Sequence, residues 1–106
     1  MKRIQTIAIA ARGITQGFSG PNEFIRGLTQ GLLDHAPGYK IHVYYDSPDA
    51  LGLFPKARER VLPSRNRIVW DQLLLPRPLK EDGIDVAIFP KGPIPLIVPC
   101  RAVSII

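Results

Sequence analysis

Three glycines in one short segment, Gly13, Gly17 and Gly20, give this sequence its best candidate for ligand binding. Glycine lets backbone N–H groups approach an anion closely, and residues 19–23 have the composition of a helix start, whose positive end favours an anion. The spacing fits neither the dinucleotide fingerprint nor the phosphate loop that ends in Gly-Lys-Ser/Thr. Contact with an anion and a plain connection that needs glycine for its backbone are therefore equally good interpretations.

Two cations next to candidate ligand loops could contact such an anion. Arg12 directly precedes the glycine segment, and Lys91 follows an apolar run that ends at Phe89. Arg26, one turn into the expected helix, could add charge. A solvated side chain is the simpler interpretation of Lys91, because most surface lysines have no ligand.

The basic window, residues 56–67, holds much of the net charge of +5. Its charged residues are five cations and one glutamate, a local balance of +4: Lys56, Arg58, Arg60, Arg65, Arg67 and Glu59. Such a cluster attracts phosphates, nucleic acid or an anionic membrane face, and a solvated loop and strand edge explains it equally well. No nucleic-acid recognition motif accompanies the basic window, so nucleic acid is the least favoured partner.

Residue types that commonly perform catalysis or bind metals are scattered along the chain. His35 and His42 are the only histidines, and neither belongs to a cluster with metal-ligand spacing. Cys100, the single cysteine, excludes an internal disulfide and indicates a reducing compartment. It is interpreted as a small apolar residue near a strand, and Trp70 as core or interface packing. The sequence predicts no catalytic residue, no metal ion and no cofactor.

Apolar runs separated by proline and glycine predict the elements that would position these residues. Strands are predicted at Ile4–Ala10, Ile41–Tyr45, Arg60–Leu62, Asp85–Phe89 and Ala102–Ile106. A first helix is predicted between Pro21 and Pro37. A second is predicted over Ile68–Leu75, where Pro76 and Pro78 must kink or stop it.

The alternation of these elements predicts one α/β domain over residues 1–106, with an open, mainly parallel sheet flanked by helices. Right-handed crossovers then place the segments Gly13–Gly20 and Pro90–Pro99 at the carboxyl edge of the sheet. Ligands bind at that edge in open α/β sheets. The elements therefore bring the glycine segment and Lys91 to the same side of the domain.

The two ends of the chain give expectations about location and association. Gln5 and Thr6 interrupt the first apolar run, which is too short for a signal peptide or a membrane span. We expect a cytoplasmic protein without a transmembrane segment, either free or peripheral to a membrane. Ile106 falls inside the last predicted strand, so we expect a truncated domain that self-associates if this strand lies at a sheet edge.

Four segments, in order and over nearly the whole chain, resemble the N-terminal domain of group 1 (family 4) glycosyltransferases, which have the GT-B architecture. Gly17–Leu28 is similar to the family's glycine loop and first helix, and Trp70–Pro76 to its Trp-x-Gln-x-x-x-Pro stretch. Asp85–Pro90 is similar to its Asp-Val strand that ends in proline. Arg101–Ile106 resembles the strand that usually leads into a His-Asp pair.

This resemblance implies a Rossmann-like fold, the N-terminal half of GT-B. It implies transfer of a sugar from a nucleotide-sugar donor to a sugar or lipid-linked acceptor, in the synthesis of cell-surface polysaccharide or glycoconjugates. Residues matching the family's glycine loop would lie over the donor diphosphate and near the acceptor: Gly17, Phe18, Ser19 and Gly20.

The chain also departs from the family pattern. Many relatives have histidine where Ile88 stands, and the His-Asp pair would follow Ile106. The family's second, nucleotide-binding domain, with its Glu-x7-Glu motif, is absent from this sequence. We therefore expect no transferase activity from this chain alone. The alternative is a small non-catalytic α/β module that binds an anion or a protein partner through the basic window.

Overall fold

The computed structural model describes residues 5–11, 20–35, 38–63, 69–70, 74–89 and 100–104. Its strands are β1 (Thr6–Ala10), β2 (Lys40–Tyr45), β3 (Arg58–Val61), β4 (Val86–Phe89) and β5 (Arg101–Ser104). Its helices are α1 (Gly20–His35) and α2 (Pro76–Glu81), with a 3-10 turn at Pro48–Ala50. Each of the five strands overlaps a strand predicted from the sequence.

The strands form one sheet in the order β3-β2-β1-β4-β5, and every neighbouring pair is parallel. The predicted α/β class with an open parallel sheet is confirmed. The first strand of the chain is central, because β2 pairs with one of its edges and β4 with the other. Ala8, for example, lies opposite His42 on one side and opposite Ala87 on the other.

Side chains alternate between the two faces of the sheet, so each face has its own core. In β1 and β2, odd-numbered residues such as Ile9 and Val43 pack with Ile25 of α1. Even-numbered residues of these two strands, such as Ala8, belong with Ala87 of β4 to the core that contains Leu79 of α2. Because both faces are covered, the central strands consist of almost continuous apolar residues rather than alternating ones.

The helix predicted over Ile68–Leu75 is helical at the described residues Val69, Trp70 and Leu74 and is interrupted at Leu75, as predicted for a helix followed by Pro76, and a separate helix, α2, begins at Pro76. Proline fits the first turn of a helix, where backbone N–H groups have no partner within the helix. The backbone reaches this start through a wide turn in which Leu75 N–H donates to the carbonyl of Trp70 at 3.0 Å.

Gly83 ends α2, with a positive φ of 66° that glycine adopts without strain. Its N–H donates to the carbonyl of Lys80 at 3.2 Å, and the N–H of Ile84 donates to the carbonyl of Leu79 at 3.0 Å. This pair of bonds is the Schellman motif, which satisfies the last carbonyls of a helix. The motif directs the chain into β4.

The side chain of Asp85 joins the amino ends of β1 and β4. Its Oδ2 accepts hydrogen bonds from Gln5 N–H at 2.8 Å and from Thr6 N–H at 3.0 Å. The backbone N–H of Asp85 donates to Thr6 O at 3.0 Å. Its backbone carbonyl accepts a hydrogen bond from Arg101 N–H at 3.3 Å. Asp85 therefore holds β1, β4 and β5 in register at the amino ends of these strands.

The outer strands are β3 and β5. In β5, Val103 is 47% exposed, which is high for an apolar strand residue. Self-association through this strand stays a prediction, since the structure contains a single chain. Among the described helices, none has the length and apolar character required to span a bilayer.

Candidate functional site

The order of the strands reverses between β1 and β4. From β1 the chain moves outward to β2 and β3, and it then returns to place β4 and β5 on the other side. In open parallel sheets such a switch point leaves a crevice outside the carboxyl ends of the two strands, and ligands bind there. Ile9 and Ile88 are paired near these ends, so the chain leaves β1 and β4 side by side.

The predicted ligand segments are the ones that follow β1 and β4. Gly20 is the first residue of α1, so the predicted helix start is confirmed to within one residue. The other predicted site residues lie outside the described part of the chain: Arg12, Gly17, Phe18, Ser19 and Lys91. The structure thus brings together the ends of β1 and β4, the strands that these segments follow. The side chains of the two segments lie outside the described residues.

Two described groups near the start of α1 bear on anion binding. Ala11, directly after β1, is fully buried, and its N–H donates to Tyr44 O at 2.9 Å, so this N–H does not face a ligand. Arg26 forms an ion pair with Glu23 at 3.6 Å. Its charge is partly compensated within the helix, which weakens the expectation that Arg26 contributes to a ligand site.

One cation of the basic window, Arg60, is compensated in the fold. Arg60 of β3 forms ion pairs with Asp82 at 3.4 Å and Glu81 at 3.5 Å, both at the end of α2. Lys56 and Arg58 are exposed and form no ion pair with any described residue. Arg65 and Arg67 lie outside the described residues. The exposed positive charge of the described part is therefore smaller than the sequence suggests.

Glu59, the single acidic residue of the basic window, has a structural role that the sequence analysis missed. Its carboxylate accepts hydrogen bonds from Tyr45 Oη at 2.6 Å, Gly52 N–H at 2.9 Å and Phe54 N–H at 3.3 Å. These bonds join the loop after β2 to the edge strand β3. Gly52 has a φ of 94°, which fits the tight turn of this loop.

We expect Glu59→Gln to lower the free energy of unfolding by about 1–2 kcal/mol, because a neutral amide accepts these hydrogen bonds less strongly than a carboxylate. Urea denaturation measures this loss. Hydrogen exchange should accelerate at the amides of Gly52 and Phe54. The matched control is Glu81→Gln, which removes an exposed ion pair and should cost no more than about 0.5 kcal/mol. Equal losses in both variants would contradict the role assigned to Glu59.

A second polar cluster surrounds Asp82, at the end of α2. Tyr44 Oη donates to Asp82 Oδ2 at 2.6 Å, and His42 Nδ1 lies 3.9 Å from the same oxygen. Burial, and then the hydrogen bond to Asp82, raises the pKa of Tyr44 above its usual value of 10.0. The phenol therefore stays protonated as a hydrogen-bond donor, and this cluster supplies no phenolate for chemistry.

His42 is buried and uncharged near neutral pH. Burial is the main cause that lowers the pKa of His42 below its usual 6.5; Asp82 raises this pKa, whereas Arg58 and Lys40 lower it further. The folded state thus binds the proton less tightly than the unfolded state. The stability that neutral His42 contributes is fully present above the pKa that His42 has in the unfolded state. It is lost as the pH falls through the lower pKa that His42 has in the folded state.

We therefore expect the free energy of unfolding to decrease between about pH 7.5 and pH 5 in part through His42. His42→Gln should make this decrease shallower, because the amide cannot be protonated. Thermal denaturation of both proteins across this pH range measures the difference. A slope in His42→Gln equal to that of the parent protein would contradict this interpretation.

Cys100 packs against the core on the α2 face, and burial raises the pKa of its thiol. These facts agree with its interpretation as an apolar residue near a strand rather than a nucleophile. Within the ranges that the structure describes, no three His, Cys, Asp or Glu side chains are grouped so that they could hold a metal ion.

Comparisons of the chain with protein-family models, with curated proteins and with solved structures give no match.

Proposed function

We propose that this chain is the N-terminal, acceptor-side domain of a glycosyltransferase that uses a nucleotide-sugar donor. The observation that carries the proposal is the switch point between β1 and β4. The strands on its two sides are followed by the two segments that the sequence identifies as ligand loops, residues 13–20 and 90–99. A double-wound sheet with ligand segments at this crevice supports a nucleotide-sugar enzyme over a module with no defined ligand site.

The proposed role of the domain follows from the start of α1. A helix that begins at Gly20 directs its positive end toward the carboxyl edge of the sheet, where a diphosphate is stabilised. Glycine at positions 13, 17 and 20 would let backbone N–H groups approach that diphosphate. The nucleotide itself would be held by a second domain. The domain described here would then supply half of the site and bind the donor weakly.

The alternative module that binds through the basic window receives less support. Arg60 is compensated by Asp82 and Glu81, and Glu59 is engaged by Tyr45 and the loop after β2. The partner surface would thus depend on the remaining cations of the window. A reducing, cytoplasmic location is part of the favoured proposal and agrees with the free thiol of Cys100.

The coding sequence beyond Ile106 gives the most direct test. The proposal expects the reading frame, or an adjacent gene, to encode a His-Asp pair and a second α/β domain with a Glu-x7-Glu motif. A stop codon with no such gene nearby would count against a glycosyltransferase and in favour of the non-catalytic module.

A titration followed by amide NMR tests the half-site directly. We expect UDP-sugars and GDP-sugars to bind this chain weakly, with dissociation constants in the millimolar range or above, and with no preference for the base. Shifts should concentrate at the carboxyl edge, for example at Gly20, and uridine without a diphosphate is the control. Tight and base-specific binding by this chain would contradict the assignment.

A further inference from the structure

Three basic side chains meet at the opposite, amino edge of the sheet. His42 of β2 pairs directly with Arg58 of β3 in the parallel register. Lys40 precedes His42 by two residues, so all three side chains lie on the same face of the sheet. Lys40 and Arg58 open the two strands, which places this group far along the strands from the proposed glycosyltransferase crevice.

Within the described ranges, the two outer members of the group have no oppositely charged partner. Lys40 and Arg58 are exposed, and neither forms an ion pair in the part of the chain that the structure describes. The next cation on the same face of β3, Arg60, is matched by two carboxylates. The described contacts therefore neutralise Arg60 of this strand. They leave Arg58, together with Lys40, available to an external anion.

His42 lies between these cations and the carboxylate of Asp82. It is 8% exposed, and its ring stacks on Tyr44 with 6.4 Å between the ring centroids. On its other side is the uncharged Ala8 of β1. Among the residues that the structure describes, the charged or titratable groups around it are Lys40 and Tyr44 of β2, Arg58 and Arg60 of β3, and Asp82 after α2.

Asp82 accepts hydrogen bonds from Tyr44 Oη and Arg60 Nη1 and forms no ion pair with Lys40 or Arg58. An anion between Lys40 and Arg58 would offset the repulsion that both exert on a protonated His42. A phosphate monoester has about two negative charges near pH 7 and an oxygen geometry that matches the guanidinium fork of arginine.

We infer that Lys40, Arg58 and His42 form a binding site for a phosphate monoester dianion at the amino edge of β2 and β3. This site is independent of the proposed glycosyltransferase crevice, since it uses other residues at the opposite edge of the sheet. Anion binding and protonation of His42 are coupled, and each favours the other by the same factor.

The test is a pH titration of the imidazole signals of the full chain by NMR, in inorganic phosphate and in chloride at equal ionic strength. We expect phosphate to raise the pKa of His42. A rise of about one pKa unit corresponds to tenfold tighter phosphate binding when His42 is protonated. No response to phosphate, or equal responses of both histidines, would overturn the inference.

Arg58→Gln should have two effects that separate binding from folding. In chloride, the pKa of His42 should rise because a neighbouring positive charge is lost, and the response to phosphate should disappear. The amide spectrum reports whether the variant stays folded. Arg77→Gln removes an exposed arginine of α2 and is the matched control, which should keep the full response. An undiminished response in Arg58→Gln would refute the site.

The phosphate could be free in solution or belong to a lipid headgroup, and sedimentation with vesicles separates the two sources. Phosphatidylcholine vesicles are compared with and without phosphatidic acid. Retention that requires both phosphatidic acid and Arg58 supports a lipid headgroup, and a phosphate response without retention supports a soluble monoester. Retention that persists in Arg58→Gln counts against this site.

Discussion

Trp70→Ala is expected to lower the free energy of unfolding by about 4 kcal/mol, the largest effect that we expect from a single substitution in this chain. Trp70 is fully buried within the core on the α2 face, where it packs with residues including Leu75 and Leu79. Its indole N–H donates to Tyr45 O at 3.4 Å. Alanine removes the apolar contacts and this bond and leaves a cavity.

The expected loss is a large part of the roughly 5–15 kcal/mol that stabilises a domain of this size. Urea denaturation followed by circular dichroism measures it, and we expect the variant to be partly unfolded at ordinary temperature. Trp70→Phe keeps an aromatic ring and should lose about half as much. Leu51→Ala, at an exposed apolar residue, should lose no more than about 0.5 kcal/mol. If Trp70→Ala were as stable as Leu51→Ala, the packing described for this core would be wrong.

Asp85→Ala is expected to lower the free energy of unfolding by about 3 kcal/mol, because two backbone N–H groups at the start of β1 lose their charged acceptor. Gln5 and Thr6 donate to this carboxylate at 2.8 and 3.0 Å. Thermal denaturation measures the loss. Hydrogen exchange should accelerate first at these two amides, where β1 and β4 are joined.

Two variants control this experiment. Asp85→Asn keeps one acceptor oxygen without the charge and should have an intermediate stability. Asp34→Ala removes an exposed carboxylate that accepts a hydrogen bond from Gln30 within α1, and it should change stability by about 0.5 kcal/mol or less. If Asp85→Ala and Asp34→Ala lost the same stability, the bonds of Asp85 to β1 would have no energetic importance.

The elements of the sheet could be predicted from sequence because buried parallel strands are continuous apolar runs that end at glycine and proline. The order of the strands could not, since no local pattern shows that β4 pairs with β1. The start of α2 at Pro76 was not predicted, because proline at the first position of a helix and proline that ends one have the same local sequence. Only the path of the chain from Trp70 to α2 distinguishes them.

The candidate sites were predictable to different degrees. The switch-point segments were identified because glycines and a helix start are local signals. The pairing of Arg60 with Asp82 joins residues 22 positions apart, and no spacing rule connects an edge strand to the end of a later helix. Glu59 could have been found, because as a lone acid among cations it lies on the opposite face of its strand from Arg58 and Arg60.

The central position of β1 has a consequence for synthesis of the protein on the ribosome. Thr6 and Asp85, which join β1 to β4, are 79 residues apart in the chain. At roughly 5–20 residues per second, translation leaves β1 without this neighbour for about 4–16 seconds. During that interval α1, β2 and β3 can already assemble on the other edge of β1. We therefore expect the nascent chain to present an unpaired apolar strand edge, and its yield in cells to depend on chaperones that bind such edges.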